Sequence, residues 1–386
     1  MKKFFLLLAG VTMMASSAMA QMSLVKEAEK FVGSNNPQEL MSALEKIEPA
    51  TQNPESKDNA LTWFTAGRLA FKLFDQMQAL RSVGQDAGTI DNAMMGEVLN
   101  EGFDAMFKAL SLDSVKETNK DGSFKLDKNG NPKIKTKYSK DIINSLVSHI
   151  QDAGRLADEQ RGAENYAGAA KSYGTFIELV TSPFAKAQNI NYADTAVREI
   201  RFLEGFCYFF AKDYANALPS LMASKKMGYT ENQIDEFVVE TVQNAVQALV
   251  NNQEYAKAYQ LLDNVIADDP NNARIYDVKG RVFEIEDDKN MDRAIEVYKK
   301  VVSLNPNYAQ GFYDLGRALC LKAQNTINDN PDMTNAQLKT ILAPIYAEAE
   351  PLLEKVCQLE PDGDNGKQAK RLIEDIDYKR EVIGMK

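Results

Sequence analysis

The chain has 386 residues, of which 44% are apolar and 26% are charged, and its formal net charge is −10. This length suits two or three ordinary domains or one elongated repeat array. The acidic balance argues against a nucleic-acid partner, which needs a basic surface, and a single histidine excludes a metal cluster built from histidines. We therefore expect neither a nucleic-acid ligand nor a cofactor.

The first twenty residues have the three parts of a secretory signal. Two lysines precede an apolar run from Phe4 to Met14, and Ala18-Met19-Ala20 then supplies the small residues that a signal peptidase reads. We expect cleavage before Gln21 and a periplasmic or secreted protein, since no cysteine follows the run to carry a lipid anchor. Neither this run nor any later stretch is long enough to span a bilayer, which predicts no stable membrane insertion.

An N-terminal helical segment is predicted over residues 21–57. Residues 22–48 have the apolar spacing of an amphipathic helical pair, which the loop from Gly33 to Pro37 divides. The segment precedes a longer region, residues 58–362, whose organisation is periodic.

Two stretches of this region have the same pattern. In residues 276–283 and 312–319, an aromatic residue comes four positions before Gly280 or Gly316, and an apolar residue comes three positions after the glycine. Each stretch is followed by a second helical pattern that contains a small residue, Ala294 or Ala349, and that ends near a proline. A glycine and an alanine at these places allow two helix backbones to approach closely, and a proline ends a helix.

This spacing resembles the tetratricopeptide repeat, a helix–turn–helix unit of about 34 residues. The resemblance implies an all-α fold, an α-solenoid of stacked helical hairpins with about six units over residues 58–362. In the same register Gly67 belongs to the first unit and Gly205 to the third, whereas Val246 replaces the glycine in the fourth. Residues 363–386 are predicted to form a C-terminal capping helix.

The sixth unit departs from the period by about twenty residues between Lys322 and Glu348, relative to a unit of about 34 residues. Within this stretch Asn328 to Pro331 is typical of a loop. Thr334 and Gln337 predict a capping box, in which each residue's side chain bonds the other's backbone, at the start of a longer helix.

Residues 115–140 differ in composition from the rest of the chain, with eight lysines against three acidic residues. Alternating apolar and polar residues flank Asn129-Gly130, which predicts a small β-hairpin insertion. The sequence leaves two roles open for it, a solvated projection or a contact for an anionic partner. A calcium loop is disfavoured because Pro132 stands where that loop needs glycine.

The cysteines and the histidine are predicted to be structural. Cys207, Cys320 and Cys357 lie in apolar helical patterns, where a free thiol behaves as a small buried hydrophobic group. A disulfide between Cys320 and Cys357 remains an alternative. His149 stands alone, more than fifty residues from any cysteine, which favours a hydrogen-bonded structural side chain over a catalytic one.

No arrangement of catalytic residues is present in the sequence, so we expect a protein that is not an enzyme. By resemblance to tetratricopeptide proteins, the first helix of each unit lines a concave groove in which aromatic residues and arginines anchor a partner. The positions that face this groove are Phe64, Arg68, Phe202, Phe206, Gln243, Gln247, Asp277, Arg281, Tyr313 and Arg317. The phenylalanines have a second interpretation as core residues.

The sequence thus favours a non-catalytic repeat scaffold that binds a protein or peptide partner in the bacterial envelope. The alternative is a glycan-binding component of nutrient uptake on a similar helical frame. The lysine and asparagine clamp that some tetratricopeptide proteins use for a partner's terminal carboxylate has no counterpart here.

Overall fold

The computed structural model describes residues 18–86, 88–287 and 291–384, with side chains described from residue 21 onward. These residues form seventeen α-helices and one pair of short β-strands, so the prediction of an all-α fold with a small β insertion is confirmed. Residues 1–17 of the predicted signal lie outside the described residues. The first helix begins at Ala18, within the last three residues of that signal. No helix among the described residues has both the length and the apolar character needed to cross a bilayer.

The elements are, in chain order, α1 (Ala18–Glu29), α2 (Pro37–Gln52), α3 (Ala60–Ser82), α4 (Asn92–Leu112), β1 (Val115–Lys116), β2 (Ile134–Lys135), α5 (Ser139–Ser148), α6 (Ile150–Gly162), α7 (Tyr166–Thr181), α8 (Pro183–Ala187), α9 (Asp194–Phe210), α10 (Tyr214–Lys226), α11 (Ile234–Asn251), α12 (Tyr255–Asp268), α13 (Ala273–Glu286), α14 (Asp292–Leu304), α15 (Ala309–Asp329), α16 (Asn335–Leu359) and α17 (Asp364–Val382).

These elements divide into two compact units, one ending at Ile234 and one beginning at Asp235. In the first unit α3 packs on α4, α6 on α7 and α9 on α10, and each pair also contacts its neighbour along the chain. In the second unit α13 packs on α14 and α15 on α16, while α17 covers α16. Packing between neighbours alone is what stacked helical hairpins require. The boundaries at residues 57 and 362 remain predictions.

Each unit has its own apolar core. The first contains Phe74, Phe103 and Met106, all fully buried, and the second is built around Tyr298 and Tyr346. Large side chains of this kind supply most of the free energy that stabilises a helical pair.

The glycine positions confirm the predicted repeat register. A Cβ atom on the glycine of the first helix would lie 2.4–2.8 Å from a side chain of the second helix, closer than real Cβ atoms come. The four pairs are Gly67 with Met106, Gly205 with Leu221, Gly280 with Tyr298 and Gly316 with Leu353. The glycine is therefore the position at which the two helices of a hairpin meet.

The predicted capping box is also confirmed. The Thr334 side chain accepts from the Gln337 backbone, and the Gln337 side chain accepts from the Thr334 backbone. Because α15 continues to Asp329 and α16 begins at Asn335, the extra residues of the sixth unit lengthen two helices. Pro344 and Pro351 lie inside α16.

The insertion leaves the helical body after α4 and returns before α5. Strands β1 and β2 pair antiparallel, with Val115 opposite Lys135 and Lys116 opposite Ile134. Between them, Phe124 bridges to Thr118, and Leu126 bridges to Pro132 across the predicted Asn-Gly turn, in which Gly130 has φ +83°. A glycine adopts this left-handed conformation without strain.

The cysteines are free thiols, and the predicted burial is confirmed for Cys207 and Cys320. Cys357 is half-buried and its Sγ lies 3.7 Å from the Gly366 carbonyl oxygen. Burial raises the pKa of the Cys320 thiol to about 11, which keeps it in the inert protonated form at neutral pH.

Candidate partner-binding surface

The structure brings four predicted groove residues together on two consecutive repeats of the second unit. Asp277 and Arg281 are one turn apart on α13, and Arg281 Nη2 lies 2.5 Å from Asp277 Oδ2. Tyr313 and Arg317 are one turn apart on α15. Arg281 and Arg317 follow Gly280 and Gly316, so they hold the same position in their repeats.

Two further carboxylates complete an ion-pair network. Arg317 Nη2 lies 2.7 Å from Glu284 Oε2 and 3.2 Å from Asp314 Oδ1, which links α15 to α13. We call the five residues Asp277, Arg281, Glu284, Asp314 and Arg317 the arginine cluster. Both added carboxylates stand three positions from an arginine of their own helix, a spacing at which opposite charges meet. That spacing is the sequence signal that could have identified them.

The carboxylates of the arginine cluster lie beneath the arginines. Asp277 is 0% exposed and Asp314 is 2% exposed, whereas the Arg281 and Arg317 side chains are 41% and 26% exposed. Each guanidinium is thus held by carboxylates that are more buried than the arginine itself, and each arginine side chain stays part-exposed. A side chain fixed before binding loses little conformational entropy when it contacts a partner.

The charges of the arginine cluster nearly balance. Burial, and then the charge of Asp314, raise the pKa of Asp277 to about 7. The raised pKa favours a proton on Asp277, so the two guanidinium groups face between two and three negative charges. The cluster therefore suits neutral hydrogen-bonding groups, such as backbone carbonyls, better than a strongly charged ligand.

Several buried polar atoms of the arginine cluster lack a hydrogen-bond partner among the described residues. They are Asp277 Oδ1, Arg281 Nε and Glu284 Oε1. A buried polar atom without a partner costs about 1–3 kcal/mol, so such atoms mark places where a ligand, a proton or water completes the structure. Three of them in one ion-pair network distinguish this surface from an ordinary salt bridge.

Tyr313 supports the arginine cluster from within the core. The residue is 9% exposed, its hydroxyl donates to Gln368 Oε1 at 2.6 Å, and its ring centroid lies 6.0 Å from the Arg317 guanidinium. The predicted direct contact with a partner is corrected to a positioning role, because the ring is covered by α17.

Two other predicted groove residues are core residues. Phe64 is 6% exposed and stacks on Tyr138 at 5.1 Å, and Phe202 is 3% exposed and stacks on Tyr229 at 4.9 Å. The structure thus supports the second interpretation of these phenylalanines, since a buried ring offers no area to a partner. Arg68, half-buried, lies over the Phe64 ring at 5.3 Å.

The remaining predicted residues lie apart from the arginine cluster. Phe206 is half-buried and its ring centroid is 4.6 Å from that of Phe210. On α11, Gln243 is half-buried, and exposed Gln247 donates to Asn251 Oδ1 at 2.7 Å. These residues neither join the cluster nor form a second polar network among the described contacts.

Within residues 18–86, 88–287 and 291–384, no group of three or more His, Cys, Asp or Glu side chains is arranged to hold a metal ion.

No family model matches the chain, and no curated protein matches it. Solved structures with some likeness include YrrB, a TPR protein described as having an unusual peptide-binding site, at 15% identity and a TM-score of 0.32, with 59% of this chain and 99% of that chain covered. The C-terminal part of a TPR repeat-containing protein from Cytophaga hutchinsonii is 12% identical, with a TM-score of 0.35 and with 89% of this chain and 98% of that chain covered. The TPR2AB domain of yeast Sti1 in its pHSP90 complex is 13% identical, with a TM-score of 0.25 and with 81% of this chain and 99% of that chain covered.

Likenesses this distant carry no argument about what the chain binds. Within the chain, each predicted glycine of a first helix packs against a side chain of the second helix of its hairpin. The chain is built from helical hairpins that resemble tetratricopeptide repeats.

Proposed function

We propose that this protein is a non-catalytic scaffold that binds an extended peptide segment of a protein partner on the arginine cluster. The observation that carries the proposal is the pair of part-exposed arginines at the same position of consecutive repeats, each held by buried carboxylates. Stacked repeats present such equivalent positions along one surface, which suits an extended chain.

The charge and the exposure of the cluster support this class of ligand. Arg281 and Arg317 are part-exposed, each guanidinium has more N–H donors than its ion pairs use, and their charges are compensated by the buried carboxylates. Donors of this kind bond backbone carbonyl oxygens, which every peptide presents at regular intervals. Arginine is also among the residues that contribute most to protein interfaces.

The experiment is a capture from envelope extract with the intact protein and with the double variant Arg281→Gln and Arg317→Gln. We expect the double variant to retain a captured protein about tenfold less well or worse, since loss of one interface arginine costs about 1–2 kcal/mol. Lys300→Gln is the matched control, because Lys300 is exposed on α14, outside the arginine cluster. Circular dichroism of each variant verifies that the helices are intact.

Equal capture by all three proteins would contradict the proposal. Binding to a sugar array, with no protein captured, would favour the glycan-binding alternative. A digest of the captured partner should contain a peptide that competes with it, because the proposed ligand is a short extended segment.

We also propose that the scaffold works in the bacterial envelope, as a periplasmic or secreted protein. The support is the sequence of residues 1–20, with its charged start, apolar run and small residues. Mass spectrometry of the protein from a membrane-enclosed compartment should give a chain that begins at Gln21, and a chain that retains residue 1 would overturn the proposal.

A further inference from the structure

The insertion contributes nothing to the core of the first unit. We call residues 115–137 the lysine hairpin. None of its residues is buried, and all are exposed except Glu117 and Pro132, which are half-buried. Large apolar side chains in such a segment have no folding role, and exposed clusters of them mark contact surfaces.

The pairing register gathers the apolar side chains on one face. Residues opposite each other on paired strands point to the same side, and so do residues two positions apart. Lys116 is opposite Ile134, Thr118 is opposite Phe124, and Leu126 is opposite Pro132, so these six residues share a face. The Lys116 ammonium lies 5.1 Å from the centroid of the Phe124 ring, which agrees with this placement.

This apolar face is open. Phe124 is 50% exposed, Leu126 is 60% exposed and Ile134 is 47% exposed. Among the described residues eight other large apolar side chains are 37% or more exposed, and one of them, Val115, also belongs to the lysine hairpin. Three on one face of a short ribbon form a cluster.

The opposite face carries charge. Glu117 lies 3.3 Å from the Lys125 ammonium and 4.0 Å from that of Lys133. Five other lysines form no ion pair with any described residue, namely Lys116, Lys120, Lys128, Lys135 and Lys137. The lysine hairpin is therefore amphipathic and positively charged, within a protein whose net charge is −10.

The lysine hairpin is preformed. Glu117 N donates to Lys133 O at 2.8 Å, Lys125 N to Glu117 O at 2.8 Å, and Lys133 N to Lys125 O at 2.7 Å, which ties its three short segments together. At its base Asp113 accepts hydrogen bonds from the backbone amides of residues 137–139 and from the Ser139 hydroxyl. A preformed ribbon needs little ordering when it binds.

We propose that the lysine hairpin docks the protein on the surface of a lipid bilayer that contains anionic lipids. The apolar face would enter the boundary between headgroups and acyl chains, and the lysines would lie against the negative headgroups. Lysine stems are long enough to accompany buried apolar side chains while their ammonium groups stay in water. The inference does not depend on the arginine cluster, which lies in the other unit.

The charge and the shape favour a bilayer over an acidic protein. A protein partner buries apolar side chains in complementary pockets, whereas a deformable bilayer accepts side chains from a narrow ribbon that has no groove of its own. Unpaired lysines at both turns and on both faces also suit a surface that is negative everywhere.

The experiment is co-sedimentation of the full chain with vesicles of phosphatidylcholine, alone or with about one third phosphatidylglycerol. We expect binding to the anionic vesicles that falls as salt is raised, and little binding to the neutral ones. The triple variant Phe124→Ser, Leu126→Ser and Ile134→Ser should bind about tenfold less well or worse, because it loses the apolar area that enters the bilayer.

The control is the double variant Val83→Ser and Ile285→Ser, which removes apolar side chains that are 65% and 53% exposed outside the lysine hairpin. This control should bind like the unchanged protein. Equal binding to neutral and anionic vesicles, or equal binding by the triple variant, would overturn the proposal. The proposal would also be overturned if the unchanged protein bound no vesicles but captured a protein partner that the triple variant did not capture.

Discussion

His149 shows how one side chain joins two helices. It lies between the end of α5 and the start of α6 and stacks on Phe71 at 4.1 Å. Its Nδ1 is 2.8 Å from the Ser145 carbonyl oxygen and its Nε2 is 3.3 Å from Asp75 Oδ1. Both ring nitrogens face acceptors, so only the protonated ring donates to both.

This geometry raises the pKa of His149. Burial by itself lowers the pKa, but the hydrogen bonds to Asp75 and Ser145 and the charge of Asp75 outweigh it. A histidine pKa raised on folding means that the stabilisation is complete below the unfolded value of about 6.5 and is lost as the pH rises through the folded value. The prediction of a hydrogen-bonded structural histidine is in agreement with these contacts.

We expect Asp75→Asn to lower the pKa of His149 and to make the free energy of unfolding less dependent on pH above about 6.5. The imidazole resonance in an NMR titration is unambiguous because the chain has one histidine. Asp277 and Glu101, whose pKa values burial raises to about 7, also lower the stability as the pH rises, so the comparison is between the variant and the unchanged protein. An unchanged histidine pKa in the variant would show that Asp75 does not hold the ring.

At the scale of the element, the helical hairpin depends on the contact between one glycine and one large side chain. Gly280 and Tyr298 are the sharpest example, because a Cβ on Gly280 would lie 2.4 Å from Tyr298 Cε1 and the tyrosine is fully buried. Protein cores are close-packed, so a fully buried ring has little room to move aside.

We therefore expect Gly280→Ala to lower the free energy of unfolding by about 1–3 kcal/mol, although alanine favours helices. Gly162→Ala is the matched control, since Gly162 ends α6 with no atom within 4 Å of its would-be Cβ, and it should be neutral or stabilise by up to about 1 kcal/mol. Urea unfolding measures both changes, and equal effects of the two substitutions would contradict the register.

Patterns that are local in the sequence predicted these elements well. The glycine and the residue it meets belong to one hairpin, as Gly280 and Tyr298 do, so their spacing is visible in the chain. The burial of Phe64 depends on Tyr138, which belongs to another element and lies far along the chain. Such contacts have no local signal, and the resemblance alone placed Phe64 in the groove.

At the scale of the molecule, each unit has a core of its own. The core of the second unit contains Tyr298, Leu342, Tyr346 and Leu353, all within residues 235–384. A set of fully buried side chains in one unit is the condition for independent folding. Periodicity predicted one continuous array, and the division at Ile234 has no counterpart in the repeat pattern.

We expect a fragment of residues 231–386 to be helical and to unfold in one cooperative transition, as circular dichroism during heating would show. A fragment of residues 288–386 is the control, because it lacks α13 and leaves Tyr298 without the helix that covers it. Gradual unfolding of the longer fragment would show that the second unit needs the first.

The Asp113 carboxylate has a consequence for how the chain can change over evolution. Asp113 follows α4 and accepts hydrogen bonds from the backbone amides of residues 137–139, where α5 begins. These bonds hold the end of α4 close to the start of α5, as a short loop would. The residues between Asp113 and residue 137 therefore do not affect how the helices pack. The appendage is thus free to acquire new chemistry, or to be trimmed away, while the body keeps its architecture.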